Sequence, residues 1–149
     1  MKVVIALGSN LGDSKTTLEM ATSQIREFID VRSISSFYQT APVGGPEQPD
    51  YLNAVLIGES ELPPVEILTR LHEIEAAAGR VRDVHWGART LDLDLIACGE
   101  LVSKTPELTL PHPRAHEREF VLGPWYEIDP EGEIVGRGKI ADLLAKLKV

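Results

Sequence analysis

The chain has a single cysteine, Cys98, in 149 residues. It forms no internal disulfide, and a lone thiol assigned to packing suits a reducing compartment, the cytoplasm. No apolar run approaches the roughly 20 residues that a membrane helix needs. The opening segment MKVVIALGSNLGD holds only a five-residue apolar run, short for a signal-peptide core and right for a first strand. Basic residues are scarce: 15 Lys and Arg face 23 Asp and Glu, a net charge of −8. Such a surface repels DNA and RNA. Two nucleotide-binding fingerprints are also missing. Gly8–Thr16 (GSNLGDSKT) imitates a phosphate-binding P-loop, but has three residues between its glycines and two more before Lys15. The motif requires four and none. No Gly-x-Gly-x-x-Gly is present.

What the chain does have is an ordinary globular composition, 43% hydrophobic and 26% charged. Its length suits one domain, residues 1–149, with one core. The charge is uneven. Residues 79–90 carry a local +2 and residues 111–118 a local +1, leaving −11 on the rest. A small positive site on an acidic body fits a small anionic ligand, not a polymer. The chain is expected to act as a monomer, with a dimer left open.

Lys2–Leu7 reads as a strand and Gly8–Gly12 as a turn. Asp13 or Ser14 caps a helix to about Ile29, striped by Leu18, Ala21, Ile25 and Phe28. Val31–Tyr38 and Tyr51–Glu59 read as strands around a loop, Thr40–Asp50, with three prolines. Pro63 and Pro64 open a helix that buries Ile67, Leu71, Ile74 and Ala78 and ends at Gly79. After a second loop, residues 80–90, Leu91–Ala97 is a strand. Short elements follow: a strand at Leu108–Leu110, a helix over Pro113–Glu119, a strand at Glu133–Val135 and a closing helix over Ile140–Leu147. The order βαββαβ predicts an α+β, ferredoxin-like fold, a mostly antiparallel sheet with helices packed on it and a C-terminal extension.

The sharpest chemical signal is Leu91-Asp92-Leu93-Asp94-Leu95. In a strand the two aspartates share one face and the leucines the other. Their Cα atoms lie about 6.5–7 Å apart, a spacing at which carboxylates jointly hold hard cations. The same pattern also serves an amphipathic strand with a solvated acidic face. Arg80, Arg82 and Arg89 precede the pair. Guanidinium groups pair bidentately with phosphate oxygens, so arginines beside metal-binding aspartates make a polyphosphate clamp; surface ion pairing is the alternative. His112, Arg114, His116 and Arg118 form a second polar edge, with His112 stiffened between two prolines. Glu75 lies beside the buried stripe of its helix, suited to a nucleotide contact, to orienting an arginine, or to a plain helix boundary. Tyr51, Asn53 and Phe120 suit a flat heterocycle, although core packing explains them equally. Trp86, in an Arg-rich loop, fits a cover over a nucleotide.

Four segments then resemble one family. His85–Ile96 (HWGARTLDLDLI) fits its signature, and Ala6–Gly12, Gln48–Val55 and Leu110–Arg114 match in order. The chain resembles the 6-hydroxymethyl-7,8-dihydropterin pyrophosphokinases of folate biosynthesis from residue 3 to about 130. The resemblance implies transfer of diphosphate from ATP to the pterin hydroxymethyl group, releasing AMP. It implies two Mg2+ ions on Asp92 and Asp94, with Arg80, Arg82 and Arg89 completing the catalytic group. ATP would meet Leu68, Glu75, Arg80, Arg82, Trp86, Arg89, Leu95, Thr109, His112 and Arg118. The pterin would stack between Tyr51 and Phe120, bond Asn53, and meet Thr40, Pro42 and Val43. Ala41, Glu107 and the short segment Asp83–His85 depart from better-known members. A non-enzymatic binding module and a pterin aldolase are the competing readings. Neither needs two aspartates beside an arginine loop.

Overall fold

The computed structural model describes residues 1–10, 13–40, 50–81 and 91–148, with residues 79–81 as main chain only. Four strands make the path of one sheet: β1 (Lys2–Ser9), β2 (Asp30–Ile34), β4 (Tyr51–Glu59) and β5 (Leu91–Cys98), in the order β2-β4-β1-β5. A fifth strand, β3 (Tyr38–Thr40), pairs with the start of β4. Every pairing is antiparallel, and the connections follow the ferredoxin-like βαββαβ scheme.

The centre of the sheet is apolar on both faces because helices cover both. Val3, Ile5 and Leu7 of β1 and Leu91, Leu93 and Leu95 of β5 pack against α1 (Ser14–Ile25) and α2 (Pro64–Val81). Val4 and Ala6, with Val55, Ile57 and Ile96, pack on the other face against α3 (Glu119–Ile128) and α4 (Ile140–Leu147). Cys98 sits in the first core, where burial pushes its thiol up to about 11. It is a packing residue. Two small hairpins, β6 (Ser103–Lys104) with β7 (Thr109–Leu110) and β8 (Glu133–Ile134) with β9 (Gly138–Lys139), join the later elements.

Asp13 is the N-cap of α1, its carboxylate accepting from the Thr16 amide at 3.2 Å and the Thr16 hydroxyl at 2.9 Å. Several boundaries differ from the sequence reading. Gly8 and Ser9 continue β1 instead of turning, since their partners Asn53 and Leu52 on β4 extend the ladder. The first helix ends at Ile25, where Phe28 and Ile29 both donate back to the Ile25 carbonyl and tighten the chain into β2. The predicted strand Val31–Tyr38 is two strands, broken where Ser35 turns inward and its hydroxyl accepts from Val55 N. Helix α2 passes through Gly79 to Val81; glycine inside a helix costs only about 0.5–1 kcal/mol relative to alanine, too little to end it. The predicted helix over Pro113–Glu119 is a single 3₁₀ turn at Ala115–Glu117.

Helix α3 has no counterpart in the sequence reading. It contains Pro124, which removes one helical hydrogen bond, but Val121, Leu122 and Trp125 are buried against the sheet. Burial of three large side chains, roughly 1.5–3 kcal/mol each, outweighs a proline cost of about 3 kcal/mol. Gly58 answers a close approach. A Cβ there would stand 2.6 Å from Ile29 Cγ2 and 2.7 Å from the Asp30 carbonyl oxygen.

Candidate active site

The face of the sheet that carries α3 and α4 is divided along its strands. At one end Val4, Ile57 and Ile96 disappear beneath the helices. At the other, β1 offers Ala6 and Gly8, β4 offers Asn53 and Tyr51, and β5 offers Asp92 and Asp94. The register sets them in rows: Asn53, Gly8 and Asp92 face one another across three strands, and Val55, Ala6 and Asp94 form the next row. Strand spacing puts the Cα atoms of Asn53 and Asp92 about 9.5–10 Å apart. Only a hydrogen lies between them on Gly8. The result is a trough of about 450 Å³, floored by Ala6, Leu7 and Gly8. Thr40, Tyr51 and Asn53 line one side, Asp92 and Asp94 the other, and Arg118 and Phe120 lean in from the start of α3.

The aromatic and amide side is preorganised. Asn53 is buried, and its Nδ2 donates to Thr40 Oγ1 at 2.6 Å. The Gly8 Cα lies against Asn53 Oδ1, since a Cβ would meet that oxygen at 3.0 Å. Tyr51 and Phe120 both border the cavity, and Phe120 stays 37% exposed.

The other side is charged. Asp94 Oδ2 lies 3.8 Å from Arg118 Nη1, and the same guanidinium sits 5.6 Å from the Phe120 ring centroid. His112 arrives through a β-bulge. Ile96 is an extra residue in β5, unmatched on β1, and its carbonyl accepts the His112 amide at 2.9 Å. Burial holds the His112 imidazole below its ordinary value, opposed by the Asp94 charge and reinforced by Arg118 and Arg114. Its Nδ1 accepts from Arg114 N at 3.1 Å, so the neutral ring carries its proton on Nε2. The peptide before Pro111 is cis.

Two carboxylates with solvent access suit magnesium. That ion takes one or two protein carboxylates and completes its shell with water and substrate phosphates. Among the described residues no cluster of three or more His, Cys, Asp or Glu side chains exists for a metal.

Of the residues singled out in the sequence, the structure brings Thr40, Tyr51, Asn53, Asp92, Asp94, Arg118 and Phe120 to one cavity. His112 stands beside Asp94. Leu68 packs against the first core, Leu95 lies within it, and Thr109 is exposed on β7; none of the three lines the trough. Glu75 accepts from the Leu93 amide at 2.7 Å. Glu107 is exposed. Pro42, Val43, Arg82, Trp86 and Arg89 lie outside the described residues, as do Ala41 and Asp83–His85, and Arg80 is described only as main chain in α2. Sequence reasoning missed the floor, Ala6 and Gly8. The signal was available: small residues alternate with Leu7 at the end of an otherwise bulky strand.

The family model for 7,8-dihydro-6-hydroxymethylpterin-pyrophosphokinase matches residues 4–130. A Mycobacterium tuberculosis protein named 2-amino-4-hydroxy-6-hydroxymethyldihydropteridine pyrophosphokinase is 41% identical over 160 residues, covering 99% of this chain and 84% of its own. The Haemophilus influenzae protein of that name is 44% identical over 83% of this chain and 79% of its own. Among solved structures, Plasmodium falciparum HPPK-DHPS with pteroate superposes with a TM-score of 0.74 at 12% identity. That match covers 97% of this chain and 42% of the longer one, and supports the fold. With a family model across most of its length and relatives above 40% identity, this chain belongs to the 7,8-dihydro-6-hydroxymethylpterin-pyrophosphokinase family.

Proposed function

We infer that this chain transfers a diphosphate from ATP to the hydroxymethyl group of 6-hydroxymethyl-7,8-dihydropterin, as its family membership indicates, and that the trough is where it does so. The observation that carries the reading is the row Asn53–Gly8–Asp92. An amide suited to a heterocycle's donor and acceptor edge stands two strands from a carboxylate suited to a cation, with no side chain between.

In this arrangement the pterin ring lies between Tyr51 and Phe120 with its polar edge at Asn53 and Thr40. Its hydroxymethyl oxygen then points over Gly8 toward Asp92 and Asp94. That oxygen bonds to the β-phosphorus of ATP, the bond from the β-phosphorus to the bridging oxygen breaks, AMP leaves with that oxygen, and the alcohol proton goes to solvent. Magnesium ions held by Asp92 and Asp94 would neutralise the polyphosphate and orient its β-phosphorus. Arg118 and the His112 Nε2–H supply charge and a hydrogen bond at the same edge, and Arg80, Arg82, Arg89 and Trp86 would add the further phosphate contacts that the family resemblance implies. Most of the rate then comes from placing the two reactants and from electrostatics already in position. The substrates are small molecules. A reducing, cytoplasmic setting agrees with the buried thiol of Cys98, and no described helix is long and apolar enough to cross a membrane.

The test is product analysis with ATP, Mg2+ and the pterin alcohol. AMP together with pterin diphosphate is the expected result. ADP would mean that a single phosphoryl group moves, and would overturn the reading.

A further inference from the structure

Helix α2 makes a polar contact with the acidic strand. Glu75 lies on the sheet-facing side of α2, one turn beyond the buried Leu71. Its Oε2 accepts the Leu93 amide at 2.7 Å. Leu93 is the residue between Asp92 and Asp94, and β5 is the last strand of the described sheet on that side. The Leu93 amide therefore points away from β1, toward the edge of the described sheet, where Glu75 meets it. Glu75 does not line the trough.

We propose that Glu75 is a positioning residue: by gripping the Leu93 amide from α2, it fixes the stretch of edge strand whose next side chains, Asp92 and Asp94, face the substrates. The physical case has three parts. An edge strand held on one side only is free to fray and twist. Two aspartates on one face repel each other and add to that tendency. A charge-assisted hydrogen bond to the amide between them resists both motions without itself touching their carboxylates. The choice of a carboxylate is costly in this position. Burial raises the Glu75 value, the Leu93 hydrogen bond and then the His72 charge oppose that rise, and the charges of Asp92 and Asp94 add to it. A contact serving packing alone would be better made by an apolar side chain.

The proposal rests on the reading that Asp92 and Asp94 serve the reacting phosphates, so its test separates the two. Glu75→Gln and Glu75→Met are neutral and of similar size, and only glutamine accepts a hydrogen bond. Amide exchange at Leu93, read by NMR without metal or nucleotide, is expected to accelerate about tenfold in the methionine variant and to stay near wild type in the glutamine variant. In turnover, Glu75→Met is expected to lower kcat about tenfold or more with KM for ATP within about twofold, and Glu75→Gln to recover most of that loss. Unchanged Leu93 exchange in Glu75→Met overturns the grip, whatever the activity. A raised KM for ATP with normal kcat overturns it in favour of direct nucleotide contact. Equal defects in both variants assign the role to charge and overturn it too. Should Glu75→Met not fold, Glu75→Asp withdraws the carboxylate by one methylene and is expected to accelerate Leu93 exchange in the same way; normal protection there refutes the proposal.

Discussion

Substituting Gly8 by alanine tests the proposed site directly, because it adds one methyl group to the floor of the trough, between Asn53 and Asp92. Gly8 is not among the glycines with positive φ, so its backbone accepts alanine without strain. In a strand, alanine is favoured over glycine by about 0.5–1 kcal/mol. The new Cβ would stand 3.0 Å from Asn53 Oδ1, against 3.9 Å from Leu52 O and Tyr51 Cδ1. Asn53 has to retreat a few tenths of an ångström, and its other end is held by Thr40 at 2.6 Å. Disturbing that hydrogen bond costs about 0.5–1.5 kcal/mol, and crowding the ring's seat adds a similar amount. Pterin affinity is therefore expected to fall about 5–150-fold, while the thermal midpoint, where the alanine gain offsets the disturbed hydrogen bond, stays within about 3 °C of wild type. Calorimetric titration with the pterin in the absence of ATP reads the first quantity and a thermal melt the second. Binding within about twofold of wild type would refute the placement of the ring on Gly8. A collapse in the melt would mean that the glycine serves the fold.

Two further substitutions probe the charged groups. Asp94→Ala removes a half-exposed carboxylate from the face opposite the first core. It is expected to lower kcat by about 10²–10³ with the melting temperature within about 2 °C of wild type; near-normal turnover would dismiss the cation role of this pair. At the far end of α3, Glu127 accepts from the Tyr38 hydroxyl at 2.6 Å, the Ser36 amide at 3.0 Å and the Ser36 hydroxyl at 2.9 Å. The Tyr38 bond first, and the Ser36 bonds after a small opposing effect of burial, hold its carboxyl below the usual range. Its stabilising effect is then present above the ordinary carboxylate value and is lost as pH falls through the lower folded one. Denaturation midpoints of wild type and Glu127→Gln should differ at pH 7 and converge at strongly acidic pH, and a gap independent of pH would contradict that assignment.

Much of the fold was legible because the patterns are local. Tyr51–Glu59 and Ile140–Leu147 have the bounds that alternation and helical spacing give. The alternation in Leu91–Leu95 fixes which face holds the aspartates, and the structure buries the leucines accordingly. What was not legible depends on partners distant in sequence. Helix α3 carries a proline and is held by a sheet face made of β1, β4 and β5, none of it visible from residues 119–128. The extension of β1 through Gly8 depends on Asn53 and Asp92, 45 and 84 positions away. Glu75 had several readings from its own helix, and only the fold reveals that its oxygen meets an amide 18 residues on.

These long-range dependencies converge on α3. Its middle is fixed by the burial of Trp125, whose indole N–H donates to Asp129 at 3.0 Å. Lys2, at the start of β1, holds that same carboxylate at 2.7 Å. Its outer side is tied by Glu127 to Tyr38 and Ser36, on the approach to β3. With both attachments made, the start of the helix has little freedom, and the residues there are Arg118 and Phe120. The helix that closes one half of the sheet face as core thereby supplies the ring and guanidinium that overhang the other half. β3 leads on to Thr40 and Asn53, so the Glu127 tie joins the two walls of the pterin side through one carboxylate. On the proposed reading, the heterocycle's seat is set by contacts well away from it, the Asp129 anchor and the Glu127 tie of α3.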